Sequence, residues 1–306
     1  MKKLILIDGN AVLHRAYHAI PPFRTSTGEL VNAIYGFSSI LLNLLNEQKP
    51  DYIAVSFDLA KKTFRHEQYK EYKATRKKAP DDLYEQLPKI KEVVKTFEIP
   101  IFEVEGFEAD DVLGTLAAKA EKLDEIKTYI FTGDLDTLQL VTDKTNVLVP
   151  KKGLREPFTY TVQKVLGKYG VGPHQIPDLK GLQGDASDNI KGVQGVGAKT
   201  ASTLLKKYGN LETLYENLDD LKGKVKENLM NDRESAFFSR KLATIVKDVP
   251  LEFKLKNCTV HEFDMQKVEN LFQAFEFKSL LKRLHDFFNH SEQKKIEEQG
   301  SQQSLF

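Results

Sequence analysis

Short, unbroken apolar runs alternate with longer amphipathic stretches through roughly the first 150 residues of the chain. LILI at 4–7, YIAVSF at 52–57, and residues 100–104 and 128–132 have the branched and aromatic density of buried strands. Between them, roughly 32–48, 83–97 and 109–123 place apolar residues at helical spacing. Strands separated by helices predict parallel βαβ units, so the expected fold class is α/β: a doubly wound, mostly parallel sheet with helices on both faces. From about 175 the texture changes to short helices joined by glycine-bearing turns, as in GVQGVGAKTASTLLKKYG at 192–209, which predicts a small helical domain. A stretch at 264–288, with Val268, Leu271, Phe272 and Phe275 at helical spacing, reads as a packed closing element. The polar, aperiodic NHSEQKKIEEQG at 289–300 predicts a disordered tail. The expected division is therefore 1–175, 176–288 and 289–306.

Composition narrows this picture by exclusion. A chain of 306 residues with 41% hydrophobic and 29% charged positions is ordinary for a soluble globular protein and long enough for two domains. No apolar run approaches a membrane span, and MKKLILIDGN turns polar too soon for a signal peptide. The one cysteine, Cys258, excludes an internal disulfide and fits a reducing cytoplasm. A monomer is expected. The net charge of +1 does not by itself point to nucleic acid, but acidic groups in one place can mask basic patches in another.

The acidic groups are the chemical signal. Asp8, Asp58, the set Glu108/Asp110/Asp111, the pair Asp134/Asp136 and the pair Asp185/Asp188 make nine carboxylates, and Asp8, Asp58 and Asp134 each close an apolar run. In an open α/β sheet the carboxyl ends of parallel strands share one crevice, so these acids should converge there. Two like charges about 4 Å apart repel by roughly 4 kcal/mol at an effective dielectric near 20. Such a gathering is tolerable only around cations, and hard, oxygen-seeking Mg²⁺ or Mn²⁺, two ions or more, is the natural choice. Within GFEADDVLGTLAAKA, Glu108 and Asp111 share one face of a helix starting there, with Asp110 about 100° from Asp111 around the axis. Asp134 and Asp136 would point the same way in an extended loop, and Asp185 and Asp188 repeat the three-residue spacing. Two ions held this way would activate a water and stabilise the leaving oxygen in an in-line attack on a phosphodiester.

Competing motifs fail on detail. GDLDTLQL resembles a phosphatase nucleophile loop, but Leu138 stands where its threonine belongs, and GVQGVGAKT resembles a Walker A loop except that Ala198 separates glycine from lysine. His66 has no acid at fixed spacing and reads as a surface histidine. Two further segments point to nucleic acid. Lys61 to Lys78 holds eight basic residues against two acidic ones, with Phe64, Tyr69 and Tyr72 interleaved, which suits a mobile cationic cover over single-stranded nucleic acid. Gly192, Gly195 and Gly197, ahead of a helix starting near Lys199, suit a turn that grips phosphate through backbone N–H groups, with Lys199, Thr200, Lys206 and Lys207 nearby.

LILIDGN (4–10), FRHEQYKEYKATR (64–76), GFEADDVLGTLA (106–117), TGDLDTLQLV (132–141) and DLKGLQGDASDNIKGVQGVGAKTA (178–201) together resemble the 5′-nuclease domain of bacterial DNA polymerase I, part of the wider flap-endonuclease family, across essentially 1–285. The resemblance implies a metal-dependent nuclease that cuts 5′ flaps and removes nucleotides from DNA 5′ ends and nicks, in RNA-primer removal and repair. It implies that all nine acids belong to the metal site, that 61–82 is the arch admitting the 5′ strand, and that Tyr72, Lys73, Arg76 and Arg15 contact the substrate. It also implies that the glycine turn is a helix–turn–helix clamp on duplex DNA whose carbonyls take K⁺. Leu135, Lys191 and Ala198 depart from the family pattern, where a basic residue, a proline and a glutamate are usual. The final QQSLF, Gln302 to Phe306, resembles a sliding-clamp-binding pentapeptide. No polymerase region follows, so a free-standing nuclease and an excised domain are both consistent. The alternatives to the nuclease are a catalytically weak flap-binding module and a ribonuclease with a similar crevice.

Overall fold

The computed structural model describes residues 1–150, 157–260 and 263–287. In chain order it contains β1 (Lys2–Asp8), α1 (Gly9–Ala19), α2 (Asn32–Asn43), β2 (Tyr52–Ser56), α3 (Phe64–Gln68), α4 (Asp81–Thr96), β3 (Ile101–Phe102), α5 (Ala109–Glu121), β4 (Ile126–Phe131), β5 (Thr145–Val149) and β6 (Phe158–Tyr160). Helices α6 (Val162–Tyr169), α7 (Ile176–Gln183), α8 (Ala198–Tyr208), α9 (Leu211–Glu216), α10 (Gly223–Asn231), α11 (Arg233–Ala243) and α12 (Met265–Ala274) follow, a further helical turn set running over 278–287. The expected tail, 289–306, lies outside the described residues.

The six strands form one sheet in the order β3-β2-β1-β4-β5-β6. β1 pairs with β4 in parallel, Ile7 opposite Phe131, β4 pairs with β5 in parallel, and β6 closes the edge antiparallel to β5. The mostly parallel α/β sheet expected from the apolar runs is present, with a helical C-terminal part. Leu4, Ile5, Leu6 and Ile7 are all fully buried, which is why β1 reads as a continuous apolar run rather than an alternating one. The strand order reverses between β1 and β4, so the carboxyl ends of these two strands open the crevice where such sheets place their chemistry.

The chain divides into two compact units. One comprises Met1–Ala11, Ala54–Lys78 and Phe102–Leu255, and holds every expected metal-binding acid, the basic segment and the glycine turn. The other comprises Val12–Ile53, Ala79–Ile101 and the described residues from Lys256 on, with Phe97, Phe272 and Phe277 buried against one another. Arg15 belongs to this second unit, half-buried on α1. Among the described residues no helix is long and apolar enough to cross a membrane.

Candidate active site

β1 ends on Asp8, and its Oδ2 accepts a hydrogen bond from the Thr132 hydroxyl at 2.6 Å, just past the end of the neighbouring β4. Its Oδ1 takes the Ala11 N–H at 2.9 Å in the first turn of α1. Asp58, two residues beyond β2, accepts from the Ala109 N–H at 2.6 Å and from the Asn10 side chain. Parallel strands and helix N-termini therefore aim these carboxylates into one place, each partly satisfied by backbone donors.

α5 begins where the sequence places it. Glu108 is its N-cap, and the Asp111 carboxylate accepts back from the Glu108 N–H at 3.1 Å, forming a capping box. Asp111 then departs from the expectation that all nine acids share one job. It is fully buried, and its two oxygens take both Arg65 guanidinium nitrogens, at 2.7 and 2.8 Å, as well as the Val246 and Glu108 N–H groups. Four donors leave this carboxylate little capacity for an ion. Asp110, one residue earlier, is the acid of this helix that senses Asp134, Asp8 and Asp58.

The loop after β4 is not extended. Asp134 caps a tight 3₁₀ helix, Leu135–Leu140, accepting from the Asp136 N–H at 2.9 Å, while its carbonyl accepts from the Thr137 hydroxyl at 2.7 Å. The turn gives the two side chains different further partners, although Asp134 still raises Asp136. Asp134 acts on Asp8 and Asp110, whereas Asp136 meets Lys180 and Asp185. Oxygen atoms of Asp136, Asp185 and Asp188 lie within 4.8 Å of one another, a spacing that can hold a cation. Lys180 on α7 donates to Asp136 and, at 2.5 Å, to Asp185.

The charge state of these acids follows from burial and crowding. Burial raises Asp8 to about 6, helped by Asp58 and Asp134 and opposed by the Ala11 and Thr132 hydrogen bonds. Burial likewise raises Asp136 to about 6, with Lys180 opposing and Asp134 adding. Asp110 is pushed well above the carboxylate range by desolvation, then by Asp134 and Asp8. Asp58, open to solvent at one side, is raised by desolvation and by Glu108. Burial also works upward on Asp185, but Lys180 outweighs it and holds that carboxyl below its ordinary value.

These shifts set a pH dependence for the ion-free chain. Asp8 keeps its proton in the folded state up to about 6, whereas in the unfolded chain it loses it near 3.8, so between those values the folded state binds more protons. Stability is greatest below the lower value and falls as pH rises through the upper one, by on the order of 3 kcal/mol for this group. Urea unfolding in chelator should therefore give a lower stability at pH 8 than at pH 5, with Asp8→Asn flattening the difference. A profile as steep in the variant as in the parent would remove Asp8 from the account.

The basic segment is not a uniformly exposed cover. Lys61, Lys62, Lys70, Arg76, Lys77 and Lys78 are exposed, but Arg65 and Tyr72 are buried. The Tyr72 hydroxyl donates to Asp188 at 3.0 Å and Glu108 at 3.1 Å, Lys73 Nζ to Glu108 at 2.8 Å, and Arg76 to Asp188 at 2.5 Å. Lys73 adopts φ +56°, a left-handed backbone that lysine rarely takes, held by its N–H on the Asp188 carbonyl at 3.0 Å. The segment thus lends its cations to the acids of α5 and of the loop after α7. His66 is half-buried, its Nδ1 against the Thr63 hydroxyl at 2.9 Å in the α3 capping box, so it has a local structural role rather than that of an ordinary surface residue.

The glycine turn is built for close backbone approach. Gly192 has φ +68°, and a Cβ there would meet the Gly184 nitrogen at 2.2 Å, so no side chain fits. Gly195 also lies at positive φ, and Gly197 caps α8, which starts at Ala198. Some N–H groups of the turn are used internally: Gly192 on Ser239, Val193 on the Leu182 carbonyl, Gln194 on Asp232. The Gly192 and Gln194 carbonyls accept Ser235 and Asn228 side chains at 2.7 and 2.8 Å, leaving a lone pair on each for a monovalent cation. Lys199 and Lys206 are exposed on α8, and Thr200 is half-buried. Gln302 to Phe306 lie outside the described residues.

Arg65 and Lys180 were not singled out by sequence reasoning. Arg65 was counted only as one charge in a basic run. Lys180 did carry a signal: besides Asp178 it is the lone charge in IPDLKGLQ, five residues before Asp185.

Residues 3–170 match the family model described as 5′–3′ exonuclease, N-terminal resolvase-like domain, and residues 171–266 match 5′–3′ exonuclease, C-terminal SAM fold. DNA polymerase I of Bacillus subtilis (strain 168) is 44% identical over 293 residues, which are 95% of this chain and 33% of that protein. DNA polymerase I of Caldicellulosiruptor bescii is 45% identical over 286 residues, 92% of this chain and 33% of that one. The chain spans about a third of the length of these curated relatives. Among solved structures, the flap endonuclease of bacteriophage T5 in a pseudo-enzyme–product complex with DNA and metal ions is similar in fold, with a TM-score of 0.65 at 24% identity over 95% of this chain and 100% of that one. With both of its parts matched in order and relatives of this identity along nearly its whole length, the chain belongs to the 5′–3′ exonuclease family.

Proposed function

We propose that this chain is a structure-specific, metal-dependent 5′-nuclease that hydrolyses DNA phosphodiesters at 5′ ends, nicks and flaps, of the kind that removes RNA primers and serves repair. The observation that carries this reading is the convergence of Asp8, Asp58, Asp110 and Asp134 at the β1/β4 reversal of the sheet. Burial and mutual repulsion raise three of these acids, a cost that divalent cations offset and that an inert crevice would not retain. The donor set is all oxygen, which suits Mg²⁺ or Mn²⁺, and the T5 flap endonuclease of similar fold was solved with metal ions and DNA. Asp8, Asp58, Asp110 and Asp134 would hold one ion, and Asp136, Asp185 and Asp188 another, with Glu108 between the basic segment and the first group. Bound there, the ions supply water activation and charge neutralisation at the scissile phosphate.

The chain's own residues do the rest. Lys73 pairs with Glu108 and Arg76 with Asp188, and with cations held at the acidic groups both side chains would be freer to meet substrate phosphate. Tyr72 anchors the segment that presents them. Arg15 adds a phosphate contact from α1. The Gly195–Gly197 turn and the first turn of α8, with Lys199, Thr200 and Lys206, grip the duplex backbone without reading sequence, with K⁺ at the turn carbonyls. The protein acts as a monomer, and Gln302 to Phe306 recruit a sliding clamp.

The test is cleavage of a duplex bearing a 5′ flap, with Mg²⁺ and with EDTA. Cutting should require the ion, and Arg76→Ala should slow it roughly 10²-fold under single-turnover conditions. Binding without cutting in Mg²⁺ would reduce the chain to a flap-binding module, and preferential cutting of RNA hairpins would reassign the substrate.

A further inference from the structure

Lys180 stands where the second group of acids would expect an ion. Its side chain, 11% exposed, donates to Asp136 and, at 2.5 Å, to Asp185 Oδ2. These are two of the three carboxylates whose oxygens gather within 4.8 Å. The third, Asp188, is satisfied separately by Tyr72 at 3.0 Å and Arg76 at 2.5 Å. Two cations of the polypeptide itself, Lys180 and Arg76, thus already stand against the three negative charges of this group. The two carboxylate contacts of Lys180 favour the ammonium form that a lysine ordinarily carries. The strand-end group differs in its direct contacts: Asp8 accepts from the Ala11 amide and the Thr132 hydroxyl, and Asp58 from the Ala109 amide and the Asn10 side chain, all neutral donors, while Lys73 acts on Asp58 and Asp110 from its seat on Glu108.

We propose that Lys180 is a built-in counter-cation for the Asp136/Asp185/Asp188 group, competing with the divalent ion this group takes, so that the two acidic groups fill one after the other. The inference rests on the two-ion reading above. An ion reaching Asp136 and Asp185 must share their oxygens with an ammonium of like charge, or displace it into solvent and give up both contacts. Either route weakens binding at this group and leaves the strand-end group untouched. Filling then proceeds from the strand ends outward. The single ion of a half-filled site lacks its partner across the scissile phosphate, so the lysine sets the ion concentration at which cutting begins.

The experiment is a Mn²⁺ titration of the full chain, without DNA, read by the electron paramagnetic resonance of free Mn²⁺. The parent should show a tight and a weak phase. Lys180→Gln should tighten the weak phase by about tenfold or more and leave the tight one unchanged, because one like charge at contact distance has gone. Lys180→Met should do the same and stands in if the glutamine variant fails to fold, as judged by circular dichroism. Lys180→Arg keeps the charge and should keep the parent's weak phase. A weak phase unchanged or weakened in both neutral variants overturns the counter-cation role while the two-ion reading stands. No Mn²⁺ bound by parent or variants overturns the two-ion reading itself.

Discussion

Asp8→Asn should lower single-turnover cleavage of a 5′-flap duplex in Mg²⁺ on the order of 10³-fold, about 4 kcal/mol of transition-state stabilisation, while leaving flap binding in chelator nearly unchanged. The asymmetry follows from what the side chain touches. An asparagine has the same shape, can still accept the Ala11 N–H through its Oδ1, and can donate its amide hydrogen to a Thr132 hydroxyl that now turns to accept. The local fold therefore survives. What disappears is one negative charge at the β1/β4 reversal, where Asp58, Asp110 and Asp134 would share a cation under the function proposed above. In chelator the variant should be at least as stable as the parent at pH 8, since the buried charge raising its neighbours is gone. Quantitative binding by fluorescence anisotropy, alongside rapid-quench rates, separates the two effects. Near-parental cutting would remove Asp8 from the ion site, and a rate loss matched by an equal binding loss would make its role one of substrate affinity.

The parts legible in the sequence are those where local chemistry and tertiary environment agree. β1, β2 and β4 are buried deeply enough that their apolar runs could be read directly, and α5 starts where Glu108 and Asp111 share one helix face, the capping box they form being visible only in the fold. β5 and β6 were not anticipated, because TNVLV and FTY are short and owe their extended form to pairing with the sheet edge. The 100–104 strand shrank to Ile101–Phe102. The helix expected over 32–48 keeps its length but widens into a π turn over Leu44–Gln48 ahead of a left-handed Lys49. The site was legible as a set of acids, not as a division of labour among them. Spacing alone treated Asp110 and Asp111 as equals, since neighbouring residues differ only in which way they face. Their partners, Asp134 and Asp8 for one and Arg65 for the other, come from 24 or more residues away and can be assigned only when the chain is folded. The same holds for the basic segment, whose positive charge is partly spent on Glu108, Asp111 and Asp188.

Arg65→Ala should be the most damaging single change to the fold of the nuclease part, at about 3–5 kcal/mol of unfolding free energy. Arg65 is 3% exposed and ties three stretches of chain together: it pairs both oxygens of Asp111 on α5, reaches Glu108 at 3.3 Å, and donates to the carbonyls of Leu242 at the end of α11 and Thr244 just beyond it, at 2.9 and 2.8 Å. Alanine leaves Asp111 buried without its counter-charge and two carbonyls without donors, the costly half of breaking a buried pair. Because total stability is typically 5–15 kcal/mol, a loss of this size leaves little margin. Lysine should rescue only part, since one ammonium cannot meet both carboxylate oxygens and two carbonyls at once. Arg65→Met combined with Asp111→Leu should recover much of the loss, because replacing both charges by apolar side chains leaves no uncompensated ion in the interior. Urea denaturation of the three variants in chelator measures this directly. The double variant should fold yet cut poorly, since Glu108 then loses the guanidinium beside it and the basic segment loses its anchor to α5. If Arg65→Ala unfolds within about 0.5 kcal/mol of the parent, the range usual for surface substitutions, the pair is not what joins the basic segment to α5.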